Sequence, residues 1–153
     1  MFRDALRFDP VKPSVAVYDI DGHCKRTFDA DKIPEAFWCR LAFVEGGRTV
    51  LAYPRNWRCR GLASQSILPT DPAARTIYRL SVESGEVEAL KFLAAVIDVA
   101  IHVDEQIAVS CGDGRLYLAN AASWTTGAPT QLADVVSPAL LQWSQFSKEL
   151  LVA

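Results

Sequence analysis

Residues 97–118 read IDVAIHVDEQIAVSCGDGRLYL, and this stretch decides the fold class. Apolar residues alternate with other residues on both sides of Asp104-Glu105 and again after Gly112-Asp113-Gly114. The alternating positions are Ile97, Val99, Ile101, Val103, Ile107, Val109, Leu116 and Leu118. A period of two places side chains on one face of a β-strand, and short β-branched runs separated by polar turns are typical of antiparallel strands. The stretch therefore predicts consecutive antiparallel strands joined by tight turns.

The same pattern extends outward over the chain. Apolar residues alternate within segments 15–20, 41–53 and 77–90, and glycine-containing dipeptides separate the runs. The dipeptides are Asp21-Gly22, Gly46-Gly47, Ser84-Gly85 and Asp113-Gly114, and glycine supplies the positive φ that tight hairpins need. Helical signals are weak: 31–39 predicts a short turn, and the alternation in 97–103 favours a strand over a helix across 86–100. The sequence predicts an all-β chain.

Composition excludes several classes of protein. The chain has 153 residues, 50% of them apolar, which suffices for one domain with its own core. Sixteen basic and 18 acidic residues give a net charge of −2, so no basic excess supports nucleic acid as the main partner. Residues 1–7 are charged, and the longest apolar window, 90–103, contains Lys91, Asp98 and His102, which predicts neither signal peptide nor membrane span. Four cysteines without a Cys-x-x-Cys pair predict reduced thiols and a cytoplasmic location.

A repeat underlies these strands. Segments 41–52, 99–109 and 140–152 each contain a strand, a polar turn and a second strand. Val99 and Leu140 are 41 positions apart, whereas Leu41 and Val99 are 58 apart, and one insertion between Tyr53 and Thr76 absorbs the difference. A unit of about 40 residues with four strands has the length of a β-propeller blade.

On these residues the chain resembles a WD40-like β-propeller. The resemblance rests on blade-like lines such as 41–52 and 77–87, although no Trp-Asp pair ends a strand and no Gly-His pair precedes a unit. It implies a single β-rich domain, 1–153, of antiparallel four-stranded blades in a partial propeller. The blade-like units are 14–29 together with 137–153, 37–93 with an inserted loop at 54–75, and 94–134. The residues alone leave a small β-sandwich or barrel as the alternative.

The units amount to about three blades, whereas closed propellers have about four to eight. Each blade buries its faces only against its neighbours, so a three-blade arc exposes two apolar faces. Three outcomes follow from this count: two copies forming a ring of six blades, docking against another chain, or a fragment of a longer propeller, since the chain stops in the apolar run 150–153. A protein partner or a homo-oligomer is therefore expected.

The inserted loop carries the candidate binding residues. Segment 54–61 contains Arg55, Trp57, Arg58 and Arg60. Arginine and tryptophan are enriched at binding hot spots, and arginine suits phosphate or carboxylate partners. These residues predict a binding site for a protein or, as the alternative function, for a small ligand or nucleic acid. The simpler interpretation is a solvated loop with Trp57 packed on the sheet.

Other chemistry finds little support in the sequence. The segment 19–24 contains two acids, a glycine, a histidine and a cysteine, but lacks the later ligands of a calcium loop and the spacing of a zinc site, which favours a turn. Ser110 and Cys111 with His102 and Asp104 form a conceivable nucleophile–base set, yet His102 and Asp104 are predicted on the solvated side of a strand. The sequence therefore predicts no metal, no cofactor and no enzyme, and favours a protein-interaction or scaffold module.

Overall fold

The computed structural model describes residues 15–29, 31–33, 39–54, 72–121, 130–134, 141–144, 147 and 149–152. These residues form twelve strands in four antiparallel sheets. Sheet 1 contains β1 (Val15–Tyr18) and β2 (Cys24–Phe28). Sheet 2 contains β3 (Cys39–Val44), β4 (Thr49–Pro54), β5 (Thr76–Ser81) and β6 (Val87–Lys91). Sheet 3 contains β7 (Val96–Ile101), β8 (Gln106–Cys111), β9 (Arg115–Asn120) and β10 (Thr130–Asp134). Sheet 4 contains β11 (Leu141–Trp143) and β12 (Leu150–Val152).

The predicted fold class is confirmed. Strands account for 62% of the described residues, every pairing is antiparallel, and the sheets have two to four strands. In sheets 2 and 3 the strands pair in the order in which they occur in the chain, as expected of a meander built from successive hairpins. Both the propeller and the sandwich interpretations contain sheets of this kind.

The glycines of the predicted turns have the backbone conformation that the hairpins require. Gly22, between β1 and β2, has a φ of 86°, and Gly114, between β8 and β9, has a φ of 85°. The amide of Gly114 donates to the carbonyl of Cys111 at 3.0 Å and closes the turn. Glycine adopts this left-handed conformation without the steric cost of a Cβ atom. The glycine pattern therefore fixes where these hairpins turn.

Three apolar clusters join the four sheets in series. Sheets 1 and 2 share the cluster Val15, Val17, Phe28, Ile33, Val50, Ala52, Tyr78 and Leu80. Sheets 2 and 3 share the cluster Val44, Leu51, Ile77, Phe92, Val96, Val99, Ile107, Val109, Cys111 and Ala121. Sheets 3 and 4 share the cluster Ala100, Ala108, Leu116 and Leu141. Because neighbouring positions along β4, such as Val50 and Leu51, belong to different clusters, opposite faces of sheet 2 pack against sheets 1 and 3.

One strand departs from the predicted alternation. The pairing of β7 with β8 shifts register between Val96 and Asp98, so Val96 rather than Ile97 joins the cluster that contains Val99. A bulge of this kind reverses the faces of the residues before it. At the other end β7 stops at Ile101, and Val103, predicted on the apolar face, is 78% exposed in the following turn.

The predicted insertion lies between the two middle strands of sheet 2. Strand β4 includes Pro54, and a 3₁₀ turn at Pro72–Arg75 leads into β5, so the ends of the predicted loop 54–75 belong to ordered elements. Residues 55–71 lie outside the described part of the chain.

Candidate protein-binding surface

Strand β3 exposes two large apolar side chains on a face that is buried over the two central strands of sheet 2. Leu41 is 51% exposed and Phe43 is 59% exposed. They pair directly with Ala52 and Val50 of β4, so all four side chains lie on the same face of sheet 2. Ala52 and Val50 belong to the core shared with sheet 1. The β3 strip, as we call Leu41 and Phe43, is therefore the uncovered part of a core face.

The position of sheet 1 explains why the strip is uncovered. The Arg26 side chain of β2 donates to the carbonyl of Val82 through Nε at 2.9 Å and to the carbonyl of Glu83 through Nη2 at 2.5 Å. Val82 and Glu83 form the turn between β5 and β6, at the opposite edge of sheet 2 from β3. Sheet 1 is thus anchored at the edge of sheet 2 opposite β3, and a groove lies between sheet 1 and Phe43 of β3.

A groove runs beside the strip. It has a volume of about 680 Å³ and is lined by Val17, Tyr18, Lys25, Phe43, Gly46, Gly47, Arg48, Val82 and Glu83. The lining includes two aromatic, two basic and one acidic residue, and Tyr18 is 60% exposed. Aromatic rings with a polar rim are typical of protein interfaces.

The turn that ends β3 is held in place by an ion pair. Arg79 of β5 donates to the Glu45 carboxylate through Nη2 at 2.7 Å, and Thr49 donates its hydroxyl to the same oxygen. The Arg79 and Glu45 side chains are only 17% and 14% exposed. The neighbouring sheet adds a further contact, since the Gly46 amide donates to the Glu105 carboxylate at 3.2 Å. These bonds tie the turn after the β3 strip to β5 and to the neighbouring sheet.

Sheet 4 presents a second exposed apolar surface at the far side of sheet 3. The Asp98 carboxylate of β7 accepts the Leu141 amide at 2.9 Å, and the Trp143 indole donates to the Ala100 carbonyl at 3.1 Å. These bonds fix β11 against the first strand of sheet 3. On β12, Leu151 is 60% exposed and Val152 is 37% exposed.

The two-stranded sheets also have open edges. Among the described residues, β1 pairs only with β2, and β12 pairs only with β11. An open strand edge presents backbone amide and carbonyl groups that accept a further strand. The exposed apolar side chains and the open edges therefore lie together at both ends of the sheet series.

The binding residues predicted from the sequence lie elsewhere. Arg55, Trp57, Arg58 and Arg60 fall outside the described residues, so the loop site stays a prediction. Leu41 and Phe43 belonged to a recognised strand, but alternation alone gave no signal that they face an uncovered part of the core.

The predicted turn at 19–24 is present. The Asp19 carboxylate accepts the amides of His23 and Asp21 at 2.9 and 3.0 Å. The His23 amide is the main reason that the pKa of Asp19 lies below its usual range. One possible metal-ligand atom from each of Asp19, Asp21 and His23 lies within 4.8 Å of the others. Asp21 and His23 are exposed, and the Asp19 carboxylate already accepts two amides of the turn.

Within the conceivable nucleophile–base set, Asp104 is exposed as predicted, whereas the prediction for His102 is wrong. His102 is 8% exposed rather than solvated, because its ring packs against Trp143 at 5.3 Å, and its Nδ1 accepts the Asp104 amide at 3.2 Å. Ser110 is fully buried, and burial raises the pKa of the Cys111 thiol to about 12. A buried thiol of that pKa is protonated at neutral pH and is a poor nucleophile.

Comparisons with known proteins address the fold. No family model matches this chain, and no curated protein matches it. Among 52 solved chains that match is the structure of U3-55K, a WD40 protein, with a TM-score of 0.50 and 12% sequence identity. The match covers 73% of this chain and 31% of that one, so this chain spans about a third of the neighbour's length.

The likeness to U3-55K at this identity is one of fold. Within the described residues, no helix has the length and apolar character needed to cross a membrane.

Proposed function

We propose that the chain is a non-catalytic protein-interaction module built from propeller-like repeats, and that it works by assembly through the β3 strip and the open sheet edges. One observation carries the proposal: Leu41 and Phe43 are more than half exposed although their pairing partners lie in the core. In a protein that acts alone, exposed apolar surface beside an open strand edge favours aggregation. In a protein that assembles, the same surface binds the partner.

The serial packing of the sheets supports the propeller interpretation within this proposal. Each sheet packs through its faces against its neighbours in chain order. This arrangement leaves terminal faces to be covered, as in other repeat proteins. The fold likeness to a WD40 protein agrees with it.

The buried state of Cys111 and the packing of His102 support the non-catalytic part of the proposal. Both side chains are buried in the interior, where a substrate has no access.

Cross-linking in extracts of the native cell tests the proposal. Lys25 lines the groove and is exposed, so an amine-reactive cross-linker reports what lies beside the β3 strip. We expect Lys25 to cross-link to a second polypeptide in the unmodified chain and in an Ile20→Asp variant, because Ile20 is fully exposed in the β1–β2 turn. We expect the double variant Leu41→Asp, Phe43→Asp to lose these cross-links. Equal cross-linking in all three would contradict the proposal.

A further inference from the structure

We infer that the β3 strip and the open edge of β1 accept strands β11 and β12 of a second copy of this chain, which completes a four-stranded sheet shared between the two copies. The inference rests on the proposed function and names the partner. Its first support is the number of strands. Among the described residues, sheets 2 and 3 contain four strands each, whereas sheets 1 and 4 contain two each.

The positions of the half-sheets are complementary. Sheet 1 is anchored at the β5–β6 turn, and within the described part of the chain Leu41 and Phe43 are exposed and β1 has one open edge. Sheet 4 packs on the first strand of sheet 3, through Asp98 and Ala100, and occupies the first half of its own sheet position. Placing β12 beside β1 gives the order β11-β12-β1-β2, the same sequential antiparallel order as in sheets 2 and 3.

The two half-sheets of one chain cannot meet. Sheet 1 lies on the face of sheet 2 turned away from sheet 3, and sheet 4 lies on the face of sheet 3 turned away from sheet 2. Packed sheets are about 10 Å apart, and sheets 2 and 3 both lie between sheets 1 and 4. In the arrangement that the structure describes, sheet 4 therefore reaches β1 only when it belongs to a second copy.

The side chains that would meet are those that the single chain leaves exposed. Leu151 lies on the outer face of sheet 4, where it would contact the β3 strip. Val152 would lie on the opposite face, against sheet 3 of the second copy, whereas Tyr18, at the end of β1, lines the groove beside Phe43. Of the eight large apolar side chains that are exposed within the described residues, five would then be covered, namely Tyr18, Leu41, Phe43, Leu151 and Val152. The other three, Ile20, Leu93 and Val103, lie in turns.

Charge also favours a second copy. Two basic residues, Lys25 and Arg48, and one acidic residue, Glu83, line the groove, which gives its lining one net positive charge. In the shared sheet the turn between β11 and β12 would lie beside the β3–β4 turn, as the β7–β8 turn does within one chain through Glu105 and Gly46. The exposed Glu149 carboxylate in that turn is the complementary charge.

Sedimentation velocity over a range of concentrations tests the inference. We expect the unmodified 153-residue chain to form a two-copy species, and Phe43→Asp and Leu151→Asp each to weaken association at least about 30-fold, as for a hot-spot residue. Leu93→Asp, at a turn residue that is 73% exposed and lies outside the shared sheet, is the matched control and should associate like the unmodified chain.

Mixing the two variants sharpens the test. A mixture of Phe43→Asp with Leu151→Asp should recover a two-copy species, because one of its two contacts then joins an intact Leu151 to an intact Phe43. Circular dichroism checks that each variant keeps its strands. Recovery supports the head-to-tail contact, and failure of the mixture to associate overturns it.

A single-chain species at every concentration also overturns the inference. That result leaves the proposed function standing if Lys25 still cross-links to a different protein in a manner that needs the β3 strip. If the Lys25 cross-links are absent as well, the single-chain result contradicts both the inference and the proposed function.

Discussion

Strands β3 and β7 hold the same position in their sheets, yet their side chains have different environments. Val99 of β7 faces sheet 2 and is 7% exposed, whereas Leu41 of β3 faces the side of sheet 1 and is 51% exposed. Sheet 2 has four strands and covers β7, whereas sheet 1 has two strands anchored away from β3. The comparison teaches that a strand's sequence sets which face is apolar, and that the neighbouring sheet decides whether that face is buried.

We expect the largest loss of stability from a substitution in the buried contact between sheets 2 and 3. Ile107 of β8 is fully buried between sheets 2 and 3, so Ile107→Ala should lower the free energy of unfolding by about 2–5 kcal/mol, through lost burial and the cavity left behind. Denaturant unfolding at dilute concentration measures it. Leu41→Ala is the counterpart, and we expect less than about 1 kcal/mol because the Leu41 side chain is already half in water. Equal losses would break the comparison.

We expect the next largest loss of stability from the ion pair between Arg79 and Glu45, which holds the turn after β3. Arg79→Leu leaves the half-buried Glu45 carboxylate without its charged partner, and we expect a loss of about 1–3 kcal/mol in the free energy of unfolding. Lys91→Leu, at an exposed basic residue of β6, is the control for the loss of a surface charge. A loss for Arg79→Leu no larger than for Lys91→Leu would show that the ion pair does not hold the turn.

The attachment of sheet 4 should give a smaller effect. Asp98→Ala removes the acceptor of the Leu141 amide, a contribution of about 1 kcal/mol, and should speed amide hydrogen exchange within β11 and β12. Exchange in β4 serves as the internal reference and should stay unchanged. Unchanged exchange in β11 and β12 would mean that Asp98 does not fix sheet 4.

The smallest effect concerns the β1–β2 turn and depends on pH. The folded-state pKa of Asp19 is lowered from 3.8, so the carboxylate stabilises the fold above that pH, and the stabilisation is lost as the pH falls through the folded-state pKa. Asp19→Asn should lower the urea midpoint at pH 7, and the difference from the unmodified chain should shrink below about pH 4. Asp21→Asn, at an exposed residue of the same turn, is the control. A difference that does not change with pH would contradict the assignment.

Much of the fold was predictable from local sequence, and the reasons are physical. The alternation in 97–118 reflects which face of a single strand is buried, and the glycines mark single turns. Because both are local properties, the sequence predicts the antiparallel hairpins. The bulge before Asp98 was missed because both Val96 and Ile97 are apolar and either suits the core. His102 was placed in solvent because the ring that covers it, Trp143, lies far away in the sequence.

The candidate site could be predicted only in part. The repeat arithmetic predicted uncovered apolar faces and assembly, but could not show that sheet 1 is held by Arg26 away from β3. That anchor is a contact between residues more than fifty positions apart. The Arg55–Arg60 loop stays a separate prediction.

Side-chain footprinting with hydroxyl radicals over a concentration series tests the central claim most directly, namely that a second copy covers the β3 strip. We predict that Phe43 and Leu151 are labelled strongly at high dilution and become protected together as the concentration rises, while Leu93 is labelled equally throughout. Labelling of Phe43 that stays in constant ratio to that of Leu93 at all concentrations would contradict the claim.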